Sequence, residues 1–230
     1  TYSGYSDADG DSDSSTYSWT ISGTEVGTGS TLSSGFSGGD TATCTVTPYD
    51  GTDSGTAASD SVDIDNTAPS ISTVSITPTS PTVSDPLTCT YSGYSDADGD
   101  SDSSTYSWTI AGTEVGTSST LSSGYTKGDT VTCTVTPYDG TDSGTAVSDS
   151  ELIENAAPSV VSISISPSSP VYASTLAASY TMSDADGDLP SVSYAWYVAG
   201  TQVSTSSTLT VSSYAVEGES IYLELTPTDG

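Results

Sequence analysis

VTCTV, at residues 131–135, sets an apolar side chain at every second position with a threonine between each pair. A period of two is the mark of a strand with one face in a core and the other in water. Ala42-Thr-Cys44-Thr-Val46 carries the same pattern upstream, and Ile221-Tyr-Leu223-Glu-Leu225 carries it downstream. No stretch has a helical period or a capped amphipathic run of useful length, so the class read from the sequence is all-β. Composition alone points elsewhere. Only 33% of residues are hydrophobic, with Ser, Thr and Gly dominant, and such a chain reads as disordered on composition. The alternation overrides that reading, because a disordered chain has no reason to keep a strand period.

The pattern belongs to an internal repeat. Asp7 recurs as Asp96 and Asp184, and Trp19 as Trp108 and Trp196, so one unit is roughly 88 to 90 residues, an ordinary size for a β-sandwich domain. IDNTAPS (residues 64–70) and IENAAPS (residues 153–159) each put a proline just after a polar turn and read as linkers. Residues 68–155 then form a complete unit. Residues 1–67 are expected to lack the first strands of theirs, and residues 156–230 the last strand of theirs, as in a window on a longer tandem array.

Cys89 in LTCTY, Trp108 in YSWTI and Cys133 in VTCTV stand in the order Cys, Trp, Cys, that of an immunoglobulin-like sandwich with an inter-sheet disulfide. In the third unit both partners change together, to Ala178 and Leu223, which suit a core. A disulfide closing such a loop stabilises by about 4 kcal/mol on the chain-entropy account. Thr1 aligns with Thr90, so the partner of Cys44 is expected immediately upstream of this stretch. Disulfides imply an oxidising compartment, hence an extracellular setting, secreted or at a cell surface. No signal peptide, membrane span or lipidation motif is visible, and no membrane insertion is expected of this window.

Beyond the cysteines stand three further motifs: V-x-I-x-P-x-x-P at residues 74–81, matched with Ile for Val at 163–170; Y-x-W at Tyr106 and Trp108 and at Tyr194 and Trp196; and GDTVTCTVTP at residues 128–137. With the acidic loops, they make the whole chain resemble the tandem Ig-like repeats of large bacterial and archaeal surface proteins and adhesins, akin to PKD-type and cadherin-type modules. Val131 stands where such domains usually carry a Tyr two residues before the second cysteine, and the W-D-F-G-D-G motif of PKD modules is absent.

That resemblance places the acidic segments. SDADGDSD, at residues 6–13 and 95–102 and shortened to SDADGD at 183–188, becomes the loop between the first-cysteine and tryptophan strands. PYDGTDSG, at residues 48–55 and 137–144, becomes the loop after the second-cysteine strand. In an Ig-like sandwich both loops lie at the end where the chain enters. Asp65 and Asn66 are therefore expected to meet Asp96, Asp98, Asp100 and Asp139, while Glu154 and Asn155 meet Asp184, Asp186, Asp188 and Asp229. Asp7, Asp9, Asp11 and Asp50 are the matching residues of the first unit. Carboxylates without His or thiol describe a hard-cation site, and calcium takes six to eight such oxygens in irregular geometry. The linkers look like shortened calcium-binding linkers of cadherins. This is not an EF-hand: counted from Asp7, the glycine falls at position 4 and position 12 is Ser18, against the required glycine at 6 and Glu at 12. Asp and Gly are also what plain solvated turns use. Recurrence in all three units, beside a second acidic loop, favours calcium.

Charge sets the remaining bounds. Thirty acidic residues face one basic residue, Lys127, with no histidine, for a net charge of −29. Nucleic acid and anionic membrane surfaces, bound through Lys and Arg, are poor partners, and no nucleic-acid partner is expected. Without His, catalysis would rest on carboxylate pairs alone, and a pair repeated in every unit is unlike an active site, so no enzymatic role is expected. The reading is an extracellular rod or fibre segment, an adhesin stalk or surface filament of calcium-rigidified units. Its partners are calcium and neighbouring repeats, with self-assembly into a fibre. The alternative is a carbohydrate- or ligand-binding module of a secreted enzyme or adhesin, for which the 15 Tyr offer stacking faces. Glycans are further candidate partners: many Ser and Thr are O-glycan acceptors, while neither Asn66 nor Asn155 opens an N-x-Ser/Thr sequon.

Overall fold

The computed structural model describes residues 1–188 and 190–229. Among them there is no α-helix, and the regular structure is antiparallel strands plus one short 3₁₀ turn at Val211–Ser213. Strands β1 (Thr16–Ile21), β2 (Thr24–Gly27), β3 (Thr41–Thr47) and β4 (Ala58–Asp63) form one sheet in the order β2-β1-β3-β4. Then β5 (Thr73–Thr77), β6 (Leu87–Ser92), β7 (Thr105–Ile110), β8 (Thr113–Gly116), β9 (Thr120–Leu121), β10 (Thr130–Thr136) and β11 (Val147–Leu152) make two sheets, β5-β6-β9 and β11-β10-β7-β8. Finally β12 (Ser159–Ser166), β13 (Thr175–Ser183), β14 (Ser191–Val198), β15 (Thr201–Ser204), β16 (Thr208–Thr210) and β17 (Ile221–Thr228) make β12-β13-β16 and β15-β14-β17.

The chain's contacts divide it into two compact units. One comprises Thr1–Val74, Tyr91–Tyr106 and Thr134–Ser148; the other comprises Ser75–Thr90, Ser107–Cys133 and the chain from Asp149 onward. Each unit thus holds one linker together with the acidic loops that follow it.

Local sequence explains the hairpins. The pairs β1/β2, β7/β8 and β14/β15 are joined by Ser22-Gly23, Ala111-Gly112 and Ala199-Gly200, with φ of 48° and 81°, 49° and 80°, and 48° and 79°. Two successive positive φ angles make the type I′ turn that matches strand twist, and the second position takes glycine at no steric cost. Just before each turn a tryptophan marks a bulge: the register slips after Trp19, Trp108 and Trp196. The indole N–H of each donates to a carbonyl past the hairpin, Gly29, Ser118 and Ser206 respectively, at 2.8–2.9 Å.

The alternation does what its period requires. In β10, Val131, Cys133 and Val135 are fully buried while the threonines between them are not. Cys133 is disulfide-bonded to Cys89 of β6, 44 residues away in sequence, so the bridge ties sheet β5-β6-β9 to sheet β11-β10-β7-β8. Trp108, Leu87 and Ile76 are buried with it. The later pair of sheets also shares one core, in which Leu176 and Leu209 come from one sheet and Trp196 and Val198 from the other. Leu223, aligned with Cys133, packs against that cluster, and Ala178 lies opposite Ile165, which packs there too. Outer faces carry hydroxyl pairs such as Thr43–Ser61, Thr132–Ser150 and Ser162–Thr181, at 2.7–3.3 Å. Cross-strand pairs of this kind stabilise a sheet without apolar surface, which reconciles strand structure with a low hydrophobic content.

Candidate metal centres

Each acidic loop folds by a device its own sequence supplies. The first Asp turns back so that one carboxylate oxygen accepts backbone N–H groups further along, an Asx turn. Asp7 Oδ1 accepts from Asp9, Gly10 and Asp11 at 2.8–3.1 Å. Asp96 Oδ1 accepts from Asp98 and Asp100 at 2.9 and 3.1 Å. Asp184 Oδ1 accepts from Asp186 and Asp188 at 2.8 and 3.3 Å. In the second loop Asp50 and Asp139 do the same for the N–H groups two and three residues on, at 2.6–2.7 Å.

The linkers add what the loops lack. The backbone N–H of Thr67 donates to Asp98 Oδ2 at 2.7 Å, and that of Ala156 donates to Asp186 Oδ2 at 2.6 Å. The Asn66 amide donates to Asp139 Oδ2 at 2.9 Å and to Asp142 Oδ2 at 3.0 Å. The Asn155 amide donates to Asp229 Oδ2 at 2.8 Å. A turn of the preceding strand pair also reaches across, with the Gly38 N–H donating to Asp98 Oδ1 at 3.1 Å. No side chain fits at Gly38, because a β-carbon there would lie 2.6 Å from Asp98 Oδ2 and 2.9 Å from Asn66 Cα.

Two groups of carboxylates result, each with one oxygen per residue within 4.8 Å of the others: Asp96, Asp98 and Asp100, and Asp184, Asp186, Asp188 and Asp229. Each lies inside one compact unit. Asp96 Oδ2 in the first group, and Asp184 Oδ2 and Asp186 Oδ1 in the second, are shut off from solvent without a hydrogen-bond partner. A buried carboxylate oxygen left unpaired is costly unless a cation meets it. Burial first, then the charges of Asp96, Asp139 and Asp98, pushes the Asp100 carboxyl above its ordinary range. Asp139 and Asp229 are held below theirs, foremost by the hydrogen bonds from Asn66 and Asn155. The donor set is oxygen alone, crowded and short of positive charge, and it fits a hard divalent cation.

The remaining sequence-derived candidates stand apart. Asp139 borders the first group through Asn66 without being a member of it. Asp65 is exposed and outside both groups. Glu154 is exposed, with its backbone turned to the strand before it: its N–H donates to Pro81 O at 2.6 Å and it bridges Thr82. Asp7, Asp9, Asp11 and Asp50 form no such group among the described residues. Four contributors escaped the sequence reading: the backbone amides of Thr67, Ala156 and Gly38, which leave no side-chain signature, and Asp142. Lys127 had a visible signal as the only cation of the chain; its Nζ lies 2.7 Å from Asp188 Oδ2.

Elsewhere, a cavity of about 470 Å³ lies against the first sheet, lined by Tyr17, Trp19, Ala42, Cys44 and Val46 among others. Among the described residues no helix is long and apolar enough to cross a membrane. No protein-family model matches the chain, and no curated protein matches it either.

Proposed function

We propose that the chain is a run of tandem immunoglobulin-like sandwich units whose junctions are set by calcium, serving outside the cell as a spacer, an adhesin stalk or a segment of a surface filament. The observation that carries this reading is the pair of linker amides, Thr67 and Ala156, each bonded to the middle carboxylate of a crowded acidic group. Those groups contain solvent-inaccessible oxygens without partners. Linker and loop are joined at the point where negative charge is densest.

Further support comes from the sheets, none of which draws strands from both sides of either linker. The Cys89–Cys133 bridge between two sheets supports both the Ig-like reading and an oxidising compartment. When bound, calcium would supply the positive charge these groups lack and accept their free oxygens. Asp96, Asp98 and Asp100 would hold it at one junction, and Asp184, Asp186, Asp188 and Asp229 at the other. The linker amides then orient the middle carboxylates toward the ion, and Asn66 and Asn155 fix the second acidic loop beside it. The apolar cavity of the first sheet offers less to the ligand-binding reading. Ala42, Cys44 and Val46 align with Val131, Cys133 and Val135, which are core residues, so its wall has the chemistry of a core face.

Small-angle scattering of the chain with millimolar calcium and with chelator, at fixed ionic strength, tests the proposal. Extracellular calcium modules bind at about 10⁻⁴ to 10⁻³ M, so millimolar calcium should give a longer, narrower distance distribution and chelator should reverse it. Equal stiffening by magnesium or by added NaCl would mean general screening of the −29 charge rather than a calcium joint.

A further inference from the structure

The two acidic groups sit in similar surroundings, and one difference between them lies in the turn before each linker. Before the first linker runs the turn Ser37-Gly38-Gly39-Asp40. The Ser37 N–H donates to Asp40 Oδ2, Gly39 N–H to Ile64 O and Ile64 N–H to Asp40 O, at 2.7–2.8 Å. Before the second linker runs Thr126-Lys127-Gly128-Asp129, bonded in the same way to Ile153 at 2.9 Å. The second position of the turn is thus pinned beside the next acidic loop in both copies. Gly38 fills it in one, offering only its N–H and no room for a side chain. Lys127 fills it in the other, with its ammonium 2.7 Å from Asp188 Oδ2.

We infer that Lys127 is a tethered rival cation: it partly neutralises the Asp184, Asp186, Asp188 and Asp229 group when calcium is absent, and it must yield Asp188 when calcium enters. This deepens the calcium reading and rests on it. Three observations carry it. The only basic residue of the chain is placed at the group with four converging carboxylates rather than the one with three. Its partner Asp188 is itself a member of that group. Two oxygens of the group, Asp184 Oδ2 and Asp186 Oδ1, still lack partners and solvent with the lysine in place, so one ammonium does not saturate it. The contact with Asp188, followed by the charges of Asp229 and Asp186, also raises the lysine's proton affinity, and the side chain stays a cation at any physiological pH. The second junction therefore carries part of its own counter-charge, while the first depends wholly on a dissolved ion.

Calcium titration calorimetry at fixed ionic strength tests this, with the first junction silenced by Asp96→Asn plus Asp98→Asn. Lys127→Gln keeps a long polar side chain, and Lys127→Gly copies the first turn; a thermal melt confirms that each folds. Removing a half-exposed charge beside the site should tighten calcium binding about threefold to tenfold. Chelated Lys127→Gln should also lose exchange protection at the Ala156 amide, with Thr67 unaffected in the chain whose first junction is intact. Binding seen only once Lys127 is replaced would support the same inference in its strongest form. Unchanged or weaker binding in both variants overturns the role of Lys127 and leaves the calcium reading standing. No calcium binding with or without Lys127 overturns both at this junction.

Discussion

Residues 1–21 and residues 90–110 have one sequence, TYSGYSDADGDSDSSTYSWTI, and the structure gives them different fates. Everything local is copied. Tyr2 bonds Asp13 as Tyr91 bonds Asp102, and the Tyr2–Tyr17 and Tyr91–Tyr106 ring pairs share a 5.8 Å separation. The Asx turns at Asp7 and Asp96 also match. The surroundings differ. Trp108 is completely buried under a disulfide-tied sheet, whereas Trp19 is half-buried beside a cavity. Asp98 is half-buried between a linker amide and Gly38, whereas Asp9 is exposed. The loop sequence therefore makes the turn, and at Asp98 the linker adds its own amide to it.

The strongest way to press on this contrast is through the cysteines. Cys133 is bridged and buried, while Cys44, its match in the first sheet, is a partly exposed free thiol. Cys89→Ala plus Cys133→Ala should cost about 4 kcal/mol in denaturant unfolding. Cys44→Ala should cost far less in residues 1–230, where Cys44 has no cysteine partner. Comparable losses would mean that the two copies are equally closed.

Next in size is the effect on calcium. Asp98→Asn should abolish binding at the first junction at millimolar calcium, whereas Asp9→Asn, the same change in the same sequence, should do nothing measurable by calorimetry. Asn66→Ala sits one step out, since its amide holds Asp139 and Asp142 rather than the gathered group. A supporting contact of that sort is typically worth about tenfold in metal affinity, and equal losses for Asn66→Ala and Asp98→Asn would put Asn66 among the ligands.

The smallest effect is on pH dependence, and it has two signs. Asp139 and Asp229 are held low, so their contribution to stability is present above the ordinary aspartate range and is lost as pH falls through their depressed folded values. Asp100 is held high, so its contribution is complete below the ordinary range and is lost as pH rises through its raised value. In chelator, a melting profile taken from neutral pH downward should rise slightly as Asp100 protonates, then fall once Asp139 and Asp229 do. Asp100→Asn should remove the rise and keep the fall. A profile with no rise would show that Asp100 is not strained by its neighbours.

Much of this was readable from the chain. The period of VTCTV, the Cys, Trp, Cys order and the pairing of Ala178 with Leu223 at the cysteine positions all concern side chains that face a core, and core chemistry is written in residue type. The clustering of Asp96 with Asp98 and Asp100, and of Asp184 with Asp186, Asp188 and Asp229, was also legible, since a recurring alternation of carboxylates lies in one tight turn and Asp229 stands in the second acidic loop. Asp65 and Glu154 lie outside both groups, and acidity alone does not say which way a linker carboxylate points. The Glu154 backbone is committed to Pro81 and Thr82. The first loop has the sequence of the second and forms no such group among the described residues.

If linker and acidic loop together hold calcium, as proposed, calcium titration calorimetry of the whole chain at fixed ionic strength reads it most directly. Saturable binding should appear, be lost in part with Asp96→Asn plus Asp98→Asn, be lost in part with Asp184→Asn plus Asp186→Asn, and vanish when all four are changed. Asp7→Asn plus Asp9→Asn should leave the isotherm as it was. Binding that survives the four changes, or that falls as far with the first-loop pair as with either of the others, would contradict the account.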